Sequence, residues 1–323
     1  MELIWEHQFT DTLSFTKNFI NLAGSYSTLP TKAGIKILPG ELGQYNQSFI
    51  DVRKHRGQGL FFVQQNGKPR IWEVPNKSFI NVESLIRTWI ITSSLPSIYR
   101  THVFDQEDDI RIAAVSQIVI DYQNWLVLDF FITGKSIYAF YERLPYQQVA
   151  NTGIKKYHAF SWAKKIYTRN NPNQWHVLRL RYSKEENKAQ WYVDNHLLLE
   201  LTNLGKTPYD ARPSPATLNG RDMIIVDHGG EPELAMLENI SVGIGHFSLL
   251  DSYPTHNIRN NIKAQGGELQ GLMKFSGTYV NPLDGISEAD FATIDVQNKN
   301  LRVFGQGSTC EIRYLKIYLD MDI

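Results

Sequence analysis

The segment of residues 125–145, WLVLDFFITGKSIYAFYERLP, constrains the fold more than any other part of this 323-residue chain. Its alternating apolar residues indicate two strands joined by the dipeptide Gly134-Lys135. Glycine at the first position of a two-residue loop suits a type II′ hairpin turn, with Thr133 facing Ser136. One face then carries the apolar residues Leu126, Leu128, Phe130, Ile132, Ile137, Ala139 and Tyr141. Such a hairpin predicts a strand pair that packs on the core of a β-sheet protein.

The opposite face of this hairpin combines carboxyl groups with aromatic rings. Glu142 is there a diagonal neighbour of Asp129, and such neighbours in an antiparallel pair lie about 7–8 Å apart. Two carboxyl groups in that range can divide the roles of acid and base, and Tyr138 can donate a proton or a hydrogen bond. We therefore predict catalytic roles for Asp129, Glu142 and Tyr138, with Phe131 as a ligand-binding ring. The alternative is a pair of acids that only solvate or salt-bridge a sheet face.

Strand patterns across the rest of the chain predict one all-β domain over residues 1–323. Glycine and proline punctuate residues 1–70, which predicts an irregular N-terminal region with short strands that covers one end of the sandwich. Residues 81–93 fit helical or strand spacing, and we interpret them as a strand. Residues 256–323 are expected to extend the same sandwich. Further strands are predicted at residues 59–63, 71–74, 156–168, 174–182, 189–200, 300–304 and 310–318.

Two other groups of residues are candidates for ligand binding. The predicted strands at 174–182 and 189–200 place one polar group on a single face: Arg179, Arg181, Gln190, Tyr192 and Asp194. Guanidinium groups beside a tyrosine suit a carboxylate, a phosphate or a polyoxygenated ligand, and a cross-strand ion-pair ladder is the alternative. His228 stands beside Asp227 and two glycines, which indicates either a general base on a mobile loop or an ordinary turn.

Composition and residue spacing argue against several classes of binding partner and cofactor. Formal net charge is zero, which argues against a nucleic acid or an anionic membrane held by bulk charge. The single cysteine, Cys310, excludes an internal disulfide framework and is expected in the core. No zinc-binding histidine spacing or phosphate-binding glycine loop occurs, so no cofactor is expected. The acidic residues 105–109 are interpreted as a solvated turn, with a calcium site as the alternative.

The sequence shows no pattern typical of a membrane-spanning or targeting segment. No apolar run reaches the length of a membrane-spanning helix. The N terminus lacks the basic and then apolar order of a signal peptide. We expect a cytoplasmic protein without a membrane partner, and a secreted protein that has lost its signal segment is the alternative.

Two strand pairs carry a resemblance to a known superfamily. The sequences QWHVLRLRY at 174–182 and QWYVDNHLLLE at 190–200 are similar to the concanavalin A-like lectin/glucanase superfamily, where a Trp-His opens a strand and a V-D-G/N turn joins two strands. Residues 238–254, ENISVGIGHFSLLDSYP, resemble its closing strands. The pattern DFFxT through IYAxYERLP at 129–145 is also similar to a largely uncharacterised set of bacterial and fungal proteins of that type.

The resemblance spans roughly residues 100–255, where the strand patterns lie, and implies a jelly-roll sandwich of two antiparallel sheets. Secreted glucanases of the superfamily carry a Glu-x-Asp-x-x-Glu strand, which this sequence lacks, so their catalytic residues are not transferred. Two functions fit the residues. One is a cofactor-independent enzyme that cyclises, isomerises or hydrolyses an oxygenated small molecule on a concave sheet face, and specialised metabolism suits such an enzyme. The other is a lectin-like protein that binds carbohydrate without catalysis.

Overall fold

The protein is an all-β sandwich of two packed antiparallel sheets, which confirms the predicted jelly-roll fold class. The computed structural model describes residues 1–23, 26–40, 59–92, 105–110, 112–147, 156–208, 223–247, 250–251, 274–275 and 307–320. The predicted strand at 300–304 lies outside them. No helix within these ranges is long and apolar enough to cross a membrane.

One sheet, here called sheet A, holds the strands nearest the two ends of the chain. Its members are β1 (Glu2–Gln8), β3 (Tyr26–Thr31), β4 (Gly34–Pro39), β8 (Phe79–Ile91), β13 (His176–Ser183), β14 (Lys188–Val193), β15 (His196–Thr202) and β20 (Gly307–Asp320). The strand order is β15-β14-β13-β8-β20-β4-β3, and β1 also pairs with β20. The C-terminal strand therefore lies inside the sheet and is not an extension added at its edge.

The second sheet, here called sheet B, contains the central hairpin. Its members are β2 (Phe19–Ala23), β5 (Gly59–Gln65), β6 (Lys68–Pro69), β7 (Trp72–Glu73), β9 (Ala114–Asp121), β10 (Leu126–Ile132), β11 (Ser136–Arg143), β12 (Ala159–Thr168), β16 (Met223–Gly229) and β17 (Asn239–Phe247). The order is β16-β12-β11-β10-β9-β17-β5-β2, with β6 on β5 and β7 on β17. The remaining elements are helix α1 (Thr12–Asn18), a 3₁₀ turn (Pro145–Gln147) and the paired strands β18 (Leu250–Asp251) and β19 (Lys274–Phe275).

The hairpin of β10 and β11 has the predicted register. The N–H of Thr133 donates to the carbonyl of Ser136 at 2.9 Å, which closes the turn. Residues 126, 128, 130, 132, 137, 139 and 141 belong to the buried cluster between the sheets. The observed pairs include Val127 with Glu142, Leu128 with Tyr141, Asp129 with Phe140 and Phe131 with Tyr138. The strand interpretation of residues 81–93 is also correct, since β8 covers most of that range.

The N-terminal region is more regular than the sequence predicts. Its first 40 residues supply β1, β3 and β4 to sheet A and β2 to sheet B. Between β1 and β2, Asp11 caps helix α1 by accepting a hydrogen bond from the Ser14 N–H at 2.7 Å. Pairing with distant partners, such as β20 for β1, stabilises strands whose own alternation is weak, so the sequence did not reveal their full regularity.

Side chains from both sheets meet in a core that includes polar contacts. The indole Nε1 of Trp191 on β14 donates to the main-chain carbonyl of Asp129 at 2.9 Å. The Cys310 sulfur on β20 lies 3.6 Å from Nε2 of His246 on β17. Burial raises the pKa of the Cys310 thiol and lowers that of His246 to about 3, so both groups are neutral. Cys310 is thus a core residue, as predicted.

Candidate functional site

The candidate site lies on the face of sheet B that points away from sheet A. The register of β9 to β12 places one set of residues there, here called the outer face of sheet B: Ser116, Ile118, Val127, Asp129, Phe131, Tyr138, Phe140, Glu142, Ser161 and Ala163. Asp129 and Glu142 belong to this face and are buried, with exposed fractions of 2% and 5%. The hairpin therefore brings the two predicted carboxyl groups to one surface.

Asp129 occupies a break in the ladder between β9 and β10. The pairing runs from Val127–Ile120 to Phe130–Gln117 with no bridge between them. The carboxyl group of Asp129 fills the gap, because Oδ1 accepts from the Val119 N–H at 3.1 Å. Its own carbonyl is satisfied by Trp191 across the core. A buried side chain thus replaces a main-chain partner, as a buried N–H requires.

The environment of Asp129 favours its protonated form. Burial raises its pKa well above the usual value, and the nearby charge of Glu142 raises it further. The hydrogen bonds from the Val119 N–H and from Oγ of Ser116, the latter at 3.0 Å to Oδ2, act in the opposite direction. Because Oδ1 is occupied by an N–H donor, the proton of the neutral acid resides on Oδ2, beside Ser116.

Glu142 is held on the neighbouring strand. The hydroxyl of Ser161 on β12, its cross-strand partner, donates to Oε1 of Glu142. On its other side Glu142 pairs with Val127. The two carboxyl groups therefore each have a serine neighbour on a flanking strand, and they influence each other electrostatically.

Aromatic rings adjoin the carboxyl pair. The rings of Phe131 and Phe140 stack at 4.1 Å between centroids with an interplanar angle of 6°. Phe247 of β17 stacks on Phe131 at 5.0 Å and 17°. These rings make one side of the carboxyl pair apolar, which contributes to the burial that raises the pKa of Asp129.

Tyr138 lies on the same face, but its hydroxyl is engaged elsewhere. It donates to the carbonyl of Asp108 at 3.0 Å and lies 3.3 Å from Oδ1 of the same residue. Burial raises the pKa of Tyr138, and the charge of Asp108 adds to this effect. The predicted proton donor is therefore bound to the acidic turn at one end of the hairpin, and its contacts do not include Asp129 or Glu142.

The acidic turn itself is neutralised by lysines. Lys135 at the hairpin tip lies 2.6 Å from Asp105 and 3.4 Å from Glu107, and Lys165 lies 3.1 Å from Asp108. Within the part of the chain that the structure describes, no group of three or more His, Cys, Asp or Glu side chains could hold a metal ion. These ion pairs agree with the interpretation as a surface turn.

The predicted arginine cluster lies on the other sheet. Leu178, Leu180 and Trp191 point into the core, so the alternating residues Arg179, Arg181, Gln190 and Tyr192 lie on the outer face of sheet A. There Arg179 covers the Tyr192 ring at 4.1 Å and Arg181 donates to Gln190 at 3.1 Å, while Nε of Arg179 is buried with no hydrogen-bond partner among the described residues.

Asp194, the fifth member of that cluster, bonds instead to Nδ1 of His176 at 2.8 Å. The whole core separates this cluster from Asp129, because β13 and β14 belong to sheet A. The ligand-binding role of the cluster stays a prediction.

His228 is not on a loop. Asp227, His228 and Gly229 are the last residues of β16, and they pair with β12 at an irregular position. The strand ends at Gly229, and the next residue, Gly230, has a φ of +115°, which favours glycine. The His228 side chain is not among the described features, so its assignment as a ligand-binding residue stays a prediction.

Several polar and aromatic residues of this region were not singled out from the sequence. Ser116 and Ser161 contact the two carboxyl groups, and Tyr122, Trp125 and Tyr146 form an aromatic cluster at one end of the same face. The serines alternate with apolar residues on β9 and β12, which is a usable signal once strand neighbours are known. Single serines in isolated strands carry no such signal.

Comparison with known proteins establishes a family. The model of one family matches residues 62–320. The chain belongs to the family of unknown function DUF6081. A viral protein is also similar to this DUF6081 member: the uncharacterized protein L829 of Acanthamoeba polyphaga mimivirus is 23% identical over 303 residues, which cover 70% of this chain and 67% of the viral protein.

Solved structures similar to this DUF6081 member include glycoside hydrolase family 16 proteins. An endo-glucanase from Bacteroides ovatus is 9% identical, with 98% of this chain and all of the enzyme covered and a TM-score of 0.45. The laminarinase catalytic domain from Thermotoga maritima is 8% identical, with 99% of each chain covered and a TM-score of 0.41. At these values the likeness carries no inference about the activity of the DUF6081 protein.

Proposed function

We propose that the protein is a cofactor-independent enzyme that performs acid–base chemistry on an oxygenated, carbohydrate-like substrate at the outer face of sheet B. Asp129 acts as the acid and Glu142 as the base. The observation that carries the proposal is the pair of buried carboxyl groups on one face, each with a serine on a flanking strand. Burial and the charge of Glu142 both raise the pKa of Asp129, which suits an acid that stays protonated beside a second carboxyl group.

The proposed acid delivers its proton through one oxygen. The Val119 N–H holds Oδ1 as an acceptor, so Oδ2 carries the proton beside Oγ of Ser116. Glu142 lies on the adjacent strand, where it accepts a hydrogen bond from the Ser161 hydroxyl. It removes a proton from the substrate. Cyclisation, isomerisation and hydrolysis each need such a pair. Tyr138 has no part in this scheme because its hydroxyl donates to Asp108, and the arginine cluster has none because it lies on the other sheet.

The second candidate function is binding without turnover. It is favoured by the same contacts when Asp129 is ionised, because both carboxylate oxygens then accept hydrogen bonds from the protein itself. A carboxyl group used in this way stabilises the sheet and shapes a recognition surface. A lectin-like protein of this kind binds an oxygenated ligand and releases it unchanged.

Two near-isosteric variants distinguish these functions. We expect Asp129→Asn and Glu142→Gln to fold and each to lower turnover by about 10²–10⁴, the usual range for a lost acid or base. For a binding protein the same changes weaken affinity by about 1–3 kcal/mol and no turnover exists to lose. Turnover is measured by NMR on a panel of oligosaccharides and hydroxylated cyclic compounds.

A carboxyl group on the opposite sheet provides the matched control. Glu200 on β15 accepts from Nε2 of Gln190 at 2.6 Å and lies far from the proposed site across the core. Glu200→Gln should retain full turnover and affinity. If both Asp129→Asn and Glu142→Gln also retain full turnover and full affinity, the outer face of sheet B is not the site.

A further inference from the structure

A cluster of aromatic rings lies at one end of the outer face of sheet B and has no part in the proposed proton transfer. The centroid of the Trp125 ring lies 5.8 Å from that of Tyr122 and 4.6 Å from that of Tyr146. Trp125 packs in one buried cluster with Val127, the cross-strand partner of Glu142. The aromatic cluster therefore adjoins the carboxyl pair along strand β10.

The backbone at Trp125 is in a conformation that bulky residues avoid. Its φ is +55°, in the left-handed region. The turn is held by Asp121, whose carboxylate accepts from the N–H groups of Gln123 at 2.6 Å and Glu238 at 2.8 Å. The Leu144 N–H also donates to the Trp125 carbonyl at 2.8 Å. Strain that the surrounding structure enforces in this way is concentrated at functional sites.

Nε1 of Trp125 and the hydroxyl of Tyr122 are buried without a hydrogen-bond partner among the residues that the structure describes. Trp125 has an exposed fraction of only 4%. Buried donors are nearly always paired in native proteins, because an unpaired one costs free energy. Two unpaired donors on neighbouring rings, beside a strained backbone, are the arrangement expected where a ligand supplies the acceptors.

We propose that Tyr122, Trp125 and Tyr146 form the subsite for a neutral polyhydroxylated ring of the pyranose class. The partly exposed rings of Tyr122 and Tyr146 contact the C–H face of the sugar beside the buried Trp125, and the donors of Trp125 and Tyr122 bind its oxygens. The three side chains carry no charge, so they offer no ion pair to a ligand and suit a neutral one. The inference rests on the proposed function and specifies its substrate class: a sugar bound here extends toward Asp129 and Glu142.

The stability of the ligand-free protein provides the first test. Tyr122→Phe removes a hydroxyl that has no partner in the part of the chain that the structure describes, so Tm should stay unchanged or rise. Tyr314→Phe is the matched control, because the Tyr314 hydroxyl donates to Glu83 at 2.9 Å and its loss should lower Tm. A fall in Tm for Tyr122→Phe equal to that of Tyr314→Phe shows a partnered structural hydroxyl and overturns the proposal.

Ligand affinity provides the second test, with cellotetraose as the probe because its pyranose rings carry only axial C–H groups on both faces. Isothermal titration should show binding to the wild type, a loss of about 5- to 150-fold for Tyr122→Phe and Trp125→Phe, and none for Tyr314→Phe. Absence of wild-type binding at millimolar concentration, or unchanged affinity in both aromatic variants, overturns the subsite. If Asp129→Asn and Glu142→Gln still lower turnover on another substrate, the proposed function stands and only the subsite fails.

Discussion

The raised pKa of Asp129 leads to a stability difference that depends on pH. When the pKa of an acid is higher in the folded state than in the unfolded state, the folded protein binds more protons at any pH between the two pKa values. Its contribution to stability is therefore complete at low pH and decreases as pH rises from about 4 through the folded pKa. Asparagine does not titrate, so Asp129→Asn removes this dependence.

The size of the effect follows from the contacts. In the variant, Oδ1 can still accept from the Val119 N–H and the amide can donate to Oγ of Ser116, as the protonated acid does. We expect wild type and variant to have similar free energies of unfolding near pH 4. Above pH 4 the free energy of unfolding of the variant should rise relative to that of the wild type by about 1.4 kcal/mol per pH unit, until the pH passes the pKa of Asp129 in the folded protein.

Urea unfolding from pH 4 to pH 8 measures this difference. The buried histidines also make stability depend on pH, but they are present in both proteins and their contributions cancel in the comparison. The reasoning is refuted if the variant is less stable than the wild type by a constant amount at every pH. It is refuted more strongly if the stability lost in the variant increases with pH, because the folded protein would then stabilise the carboxylate form of Asp129.

Two further outcomes follow from the core. Phe130→Ala should lower the free energy of unfolding by about 3–5 kcal/mol, because the ring is fully buried between the sheets; a loss below 1 kcal/mol in urea unfolding would contradict its placement. Burial lowers the pKa of His246 to about 3, so the unfolded state binds more protons between that value and about 6.5. Stability should thus fall with decreasing pH across this window, and the slope should be smaller in His246→Asn, as acid titration of the unfolding midpoint would show.

The hairpin and the pairing of Asp129 with Phe140 were predictable from the sequence because they are local. A two-residue turn and a period of two together fix which residues face which. The break in the ladder at Asp129 was not predictable in this way. It depends on Trp191, which arrives from the other sheet to satisfy the Asp129 carbonyl.

The position of the arginine cluster shows the same limit. Alternation correctly placed Arg179 and Tyr192 on one face of a strand pair, but it does not reveal which sheet the pair joins. That choice is made by β13 pairing with β8, whose nearest residue in sequence is about 85 positions away from β13. Tyr138 was assigned to the right face, whereas the direction of its hydroxyl depends on the turn that carries Asp108.

The central claim is that the outer face of sheet B is the ligand site. A crystal structure of the protein soaked with cellotetraose tests it most directly. The account predicts a sugar ring against Trp125, with the neighbouring unit next to Glu142 and Asp129. Sugar density confined to the outer face of sheet A, beside Arg179 and Tyr192, would contradict it.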